Sequence, residues 1–229
     1  HDDIVVASPD QPALIEALEA LTAALDAAGM QLGLDDGKSL LLVDDGADVS
    51  DALFAALGRR RDSVAKCAGI PISTTSPSAR RRADELLTST VHDCLRPLRA
   101  LEHAHPQDTV KVLAVAGARC RTLYHAACTH DSPAWPALRR EADQLTRSLL
   151  AHALGPQAEV TTEHQWLMAL LPAREGGLGV HSCTLEGELD RRAARVLDAR
   201  DVGSEDDLAT AMAALVSTRA RLHRHLATL

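Results

Sequence analysis

The feature that most constrains the fold is a change of period at Ser76. Before it, apolar residues come in short runs such as Ile4-Val5-Val6 and Leu40-Leu41-Leu42-Val43, separated by Asp- and Gly-rich turns. From Ser76-Pro77 onward they recur at helical spacing, and no stretch reads as a strand before residue 178. Strands gathered at one end and helices at the other predict an α+β chain. We expect a small α/β lobe over residues 1–73, with antiparallel strands plus a helix. A mainly helical region over 77–180 and a helical extension over 181–229 should follow. An apolar content of 46% with only 2% aromatics implies a core of Leu, Ala and Val, which suits helices.

The first lobe reads as follows. Two adjacent carboxylates, Asp2 and Asp3, precede a strand at 4–6 and would sit exposed at a hairpin tip. Ser8-Pro9-Asp10-Gln11 predicts a helix start, with Ser8 as N-cap, Pro9 at the first helical position and Gln11 closing a capping box. Leu14, Leu18, Leu21 and Leu25 form its buried stripe, and Gly29 ends it. Strands are expected at 30–34 and 39–43, a short helix at 51–57 and a strand at 63–67. Gly69 and Pro71 are expected to keep 68–73 out of regular structure. Gly37-Lys38-Ser39 is not a P-loop, because the glycine required five residues earlier is Leu32.

In the second part, helices are expected at 77–104, kinked at Pro97, then at 108–128 with Asp108 as N-cap, and at 132–155. A shorter helix contains Trp166. A glycine-rich turn over 171–180 leads to helices at 184–199 and 204–226. There is no internal repeat.

Charge is divided as sharply as period. Residues 1–58 hold 12 acids and one base, whereas 59–229 hold 23 bases and 20 acids, so the net −8 belongs to the first quarter. The clusters Arg59-Arg60-Arg61 and Arg80-Arg81-Arg82 can meet phosphates or can serve as solvated helix ends. Five scattered cysteines without a C-x-x-C pair read as reduced thiols. No apolar run is long enough to span a bilayer and no signal-peptide pattern opens the chain. The expectation is an intracellular protein, nuclear or cytoplasmic and not secreted, with no membrane partner.

With these elements placed, four stretches in order resemble the reverse transcriptase of LINE-type (non-LTR) retrotransposons, from mid-palm through the thumb. Asp2-Asp3-Ile4-Val5-Val6 is similar to the family's metal-binding box. Leu32-Gly33-Leu34-Asp35-Asp36-Gly37-Lys38-Ser39 is similar to Leu-x-Leu-Asn-x-x-Lys-Ser, with Asp35 in place of asparagine. Lys66-Cys67-Ala68-Gly69-Ile70-Pro71-Ile72 is similar to the box whose hairpin grips the primer end. Leu171-Pro172-Ala173-Arg174-Glu175-Gly176-Gly177-Leu178-Gly179 is similar to a stretch beyond the thumb helices.

The resemblance implies an RNA-directed DNA polymerase, with a palm-like α/β remnant followed by a thumb-like helical lobe. Its reaction is metal-dependent nucleotidyl transfer onto a primer 3′ end. Asp2 and Asp3 would hold Mg2+, and Lys38 would meet the outgoing pyrophosphate. Lys66, Gly69, Ile70 and Pro71 would form the primer grip. Arg80, Arg81 and Arg82 would lie beside the Gly69–Pro71 turn, on the backbone of an RNA template/DNA primer duplex. The family's third metal-binding aspartate and its fingers come from earlier sequence. The chain is therefore expected to be a fragment, inactive alone, whose partner is the N-terminal part of the polymerase.

The alternative is a non-catalytic helical module, derived from such an element, that binds nucleic acid or protein. Other readings are weaker. Cys120, His125, Cys128 and His130 would have to leave one helix to converge on zinc. His92, His103 and His105 read as polar faces of a long helix. Trp135 and Trp166 read as core anchors, since so few aromatics make no stacking platform.

Overall fold

A computed structural model describes residues 6, 8, 10–31, 40–44, 47–57, 61–129, 131–155, 162–202, 209, 210, 212, 213, 216 and 217. The chain is of the α+β class and mainly helical. It divides into two compact units, 1–86 and 87–229, and the boundary falls inside one helix.

In the first unit, helix α1 spans Gln11–Ala27. Its N-cap is Asp10 and not Ser8: the Asp10 carboxylate accepts from Ala13 N at 2.8 Å, and Pro12 stands in the first turn. The Ser8 hydroxyl is turned to Asp10, donating to its carbonyl at 2.9 Å. Gln11 closes no capping box, because its side chain reaches Asp48 O and Ser50 N. Gly29 ends α1 at φ 72°, with Met30 N donating to Leu25 O and Gly29 N to Asp26 O, the paired bonds of a Schellman motif. Leu18, Leu41, Val49 and Leu53 make the small core of this unit, with Val6, Leu14, Ile15 and Val43 packed on it.

Strand β1 (Leu41–Leu42) pairs with β2 (Arg61–Asp62) in parallel, an arrangement not expected of an antiparallel lobe. Helix α2 (Asp51–Leu57) lies in the crossover that a parallel pair requires. Strand β3 (Val64–Cys67) forms an antiparallel hairpin with β4 (Ile70–Ser73). The expectation of irregular structure at 68–73 is corrected here, since Pro71 does sit in a strand. Its partner is Lys66, one pair beyond the tight Cys67↔Ile70 closure, where antiparallel pairs exchange no hydrogen bonds and proline gives up no ladder bond.

Helix α3 runs Pro77–Leu95, with Ala79 N donating to the Ser76 hydroxyl at its start. A 3-10 segment, Arg96–His103, continues it. Pro97 cannot donate back to Asp93, so the α-helix stops there instead of kinking and running on to 104. The helix expected over 108–128 is two: α4 (Pro106–Ala116) starts at Pro106, with His105 and not Asp108 as N-cap, and α5 (Ala118–Cys128) follows after Gly117. Gly117 is extended, and a Cβ there would lie 2.4 Å from the Leu113 carbonyl oxygen, so only glycine allows this break.

Helices α6 (Trp135–Leu154), α7 (Glu163–Leu170) and α8 (Cys183–Val202) follow in the second unit, and most of the helix expected at 204–226 lies outside the described residues. Leu87, Val91, Leu98, Leu113, Leu138, Leu149, Leu150, Trp166 and Val180 fill its core. α8 packs on α5 and α6. No described helix is long and apolar enough to cross a membrane.

Candidate nucleic-acid interface

The hairpin β3–β4 turns through two residues of positive φ, Ala68 at 49° and Gly69 at 80°. Two-residue turns of this hand match the twist of the strands they join. Gly69 has open space around it, so its backbone conformation is what glycine supplies. Ala68 accepts the same conformation at a cost of about 1 kcal/mol, which the strand pairing on either side sustains. Lys66 and Gly69 are exposed, whereas Ile70 and Pro71 are buried. Of the four grip-like residues, two therefore face solvent and two root the hairpin in its unit.

The hairpin's open end is tied on both sides. Thr74 N donates to Ser63 O at 3.0 Å, one pair beyond Val64↔Ser73. Thr74 Oγ1 donates to the Asp44 carboxylate, and Val43 N to Asp62 O at 3.0 Å. Hydrogen bonds from Thr74 and Ser76 hold the Asp44 carboxyl below the ordinary aspartate range. From α3, Arg82 bonds Asp62 at 3.0 Å and the Ser63 hydroxyl at 3.0 Å. Partial burial pushes the Asp62 carboxyl up, but the N–H groups of Val64 and Ser63 and the Arg82 guanidinium outweigh it, so its pKa is lowered.

Arg82 thus meets the root of the hairpin, about 15 Å along the strand from the Ala68-Gly69 turn at ~3.3 Å per residue. Arg80 and Arg81 are exposed, and their guanidinium groups form no ion pair among the described residues. Asp2, Asp3 and Lys38 lie outside the described residues, as does the 32–39 box. A Mg2+ site would rest on Asp2 and Asp3, and among the described residues no group of three or more His, Cys, Asp or Glu could hold a metal. Cys120 and Cys128 are exposed and His125 is buried, while His130 lies outside the described residues.

In the second unit the glycine-rich stretch is a compact turn. Gly176 is left-handed at φ 85°, and a Cβ on Gly177 would lie 2.0 Å from Leu171 O. Leu178 N and Val180 N both donate to Ala169 O, which folds the turn back on α7. Arg174 stands out from it, 83% exposed. Trp135 and Trp166 are both in the core. Trp135 donates to Thr129 O at 2.8 Å, and the Arg147 guanidinium lies 4.7 Å above the Trp166 ring. His92 is exposed and bonds Glu141 at 2.7 Å.

Two groupings escaped the sequence reading. Asp143, buried on α6, accepts from Ser182 Oγ at 2.8 Å, Cys183 N at 2.7 Å and Thr184 N at 3.1 Å, and so caps α8 from another helix. Arg119 on α5 bridges Glu186 at 2.8 Å and Asp190 at 2.7 Å, and His181 bonds Glu186 at 3.1 Å. Compared with known protein families, characterised proteins and solved structures, the chain matches none.

Proposed function

We propose that the chain is a palm-to-thumb segment of a LINE-type reverse transcriptase, and that its part in nucleotidyl transfer is to clasp the backbone of a primer–template duplex. The observation that carries this reading is a hairpin bearing exposed Lys66, followed at once by a helix whose first turns carry two exposed arginines that form no ion pair among the described residues. The order of the four sequence boxes supports it. A duplex is a dense array of phosphates, and each one neutralised releases condensed counterions. Guanidinium groups suit such contacts because their planar fork matches phosphate oxygens. When bound, Mg2+ would supply charge stabilisation at the attacking and leaving oxygens of the transfer. The described residues bind and orient the duplex.

The test is fluorescence anisotropy of a labelled RNA–DNA primer–template with the full chain, titrated across a range of salt. Measurable affinity at low salt is expected. Replacing both Arg80 and Arg81 by Ala should flatten the log–log salt slope by about 1.8, at about 0.9 per phosphate. No binding at low salt, or an unchanged slope in the double variant, would overturn the reading. A second reading, a non-catalytic module that binds protein, draws on exposed Val115 in α4 and exposed Leu123 and Tyr124 in α5. It takes precedence if the duplex fails to bind.

A further inference from the structure

Arg80, Arg81 and Arg82 read alike in the sequence, and the fold divides them. We propose that Arg82 is a positioning residue, a latch that locks the first turns of α3 onto the root of the β3–β4 hairpin and so sets where Arg80 and Arg81 stand relative to Lys66. The latch stands on geometry within the first unit; its consequence for binding rests on the duplex reading above.

The Arg82 guanidinium spans two acceptors of different kinds, the Asp62 carboxylate and the Ser63 hydroxyl. Ser63 is 1% exposed beneath a guanidinium whose own side chain is 49% exposed. The same Asp62 oxygen accepts from Ser63 N at 2.7 Å and Val64 N at 3.3 Å, which fixes the first residues of β3. Ser63 O in turn receives Thr74 N, the outermost bond of the hairpin ladder. One guanidinium therefore joins a helix to the start of the hairpin, where Ser63 O and Thr74 N bond its two sides together. On the opposite side the root is held by Val43 and Asp44. Loosening α3 at this root changes where Arg80 and Arg81 stand relative to Lys66. A lysine at 82 keeps the charge but lacks the fork that reaches both acceptors.

The full chain and its Arg82→Ala, Arg82→Lys and Asp62→Asn variants are compared by affinity for an RNA–DNA hybrid, by salt slope and by amide hydrogen exchange. The latch predicts that R82K binds as weakly as R82A, about tenfold below the wild type, with the salt slope unchanged. It also predicts that D62N weakens binding, although removing an acid near a polyanion would by simple electrostatics strengthen it. Exchange of the Thr74 and Val64 amides should accelerate about tenfold in all three variants. Wild-type affinity in R82K, together with a slope reduced by about 0.9 in R82A, would make Arg82 a phosphate contact and overturn the proposal. Tighter binding by D62N, or unchanged exchange at Thr74, would overturn it as well. A chain that binds no duplex yet shows the accelerated exchange keeps the latch and removes the duplex reading.

Discussion

Replacing Asp143 by Ala should be the most damaging single change among the polar residues of the second unit. Asp143 is 7% exposed, and its carboxylate takes three donors at the start of α8, a helix of 20 residues. Loss of a helix cap costs about 1 kcal/mol. Two backbone N–H groups, of Cys183 and Thr184, are left in a site that water reaches poorly, which adds about 1–3 kcal/mol. Together these give roughly 3 kcal/mol. Asp143→Asn keeps one acceptor oxygen and should lose about half of that. Ser182 stays a partial cap in both variants, because its hydroxyl also accepts from Leu185 N at 3.1 Å. Urea unfolding followed by tryptophan fluorescence isolates the effect, since Trp135 and Trp166 are the chain's two tryptophans and both are buried in this unit. A loss below about 1 kcal/mol for D143A, or a loss no larger than that of S182A, would refute the capping argument.

Two further outcomes follow from the same region. His181 has its pKa raised by the hydrogen bond to Glu186, against the opposing pull of burial. Its contribution to stability is therefore complete below the unfolded value of 6.5 and lost as pH rises through the folded value; the fall in Tm above that point should be shallower in His181→Asn than in the wild type. Among the thiols, Cys183 is pushed up to about 12 by burial first and by the Asp143 charge next, whereas Cys120 and Cys128 are exposed. Mass spectrometry after brief alkylation at mildly alkaline pH should find Cys120 and Cys128 modified and Cys183 intact until urea is added, and early labelling of Cys183 would contradict its placement.

What the sequence made legible was local. The change of period at Ser76 separated strands from helices because side-chain spacing alone distinguishes the two. Gly29 and Gly155 ended helices as expected, both at positive φ, since few other residues take that conformation cheaply. The failures were also local, but they turned on competition between neighbours. Ser8 and Asp10 are both good caps, and Asp10 won with Pro12 just inside the helix. Gly117 broke a periodic stretch that a single glycine usually only weakens. At Pro71, strand exclusion depends on which member of the ladder the proline occupies, and that depends on a turn two residues away.

The site was legible in composition and not in arrangement. Three consecutive arginines on a helix point about 100° apart, so they cannot all face one ligand, and that much follows from helical geometry alone. Which of them bonds the hairpin depends on Asp62 and Ser63, at the junction of β2 and β3, which pairing with distant segments puts in place. Asp143 and Ser182 are 39 residues apart, and Arg119 and Asp190 are 71 apart; no local pattern announces such partners. One signal was available for Asp143. It falls on the apolar stripe of α6, beside Ala142 and Thr146 and in line with Leu138, Leu149 and Leu150, all buried. A carboxylate on such a stripe costs several kcal/mol unless donors come to meet it. The sequence thus requires partners for Asp143 without naming them, and a helix N-terminus, with its first N–H groups unpaired and its dipole favouring a negative charge, is a structure able to provide them.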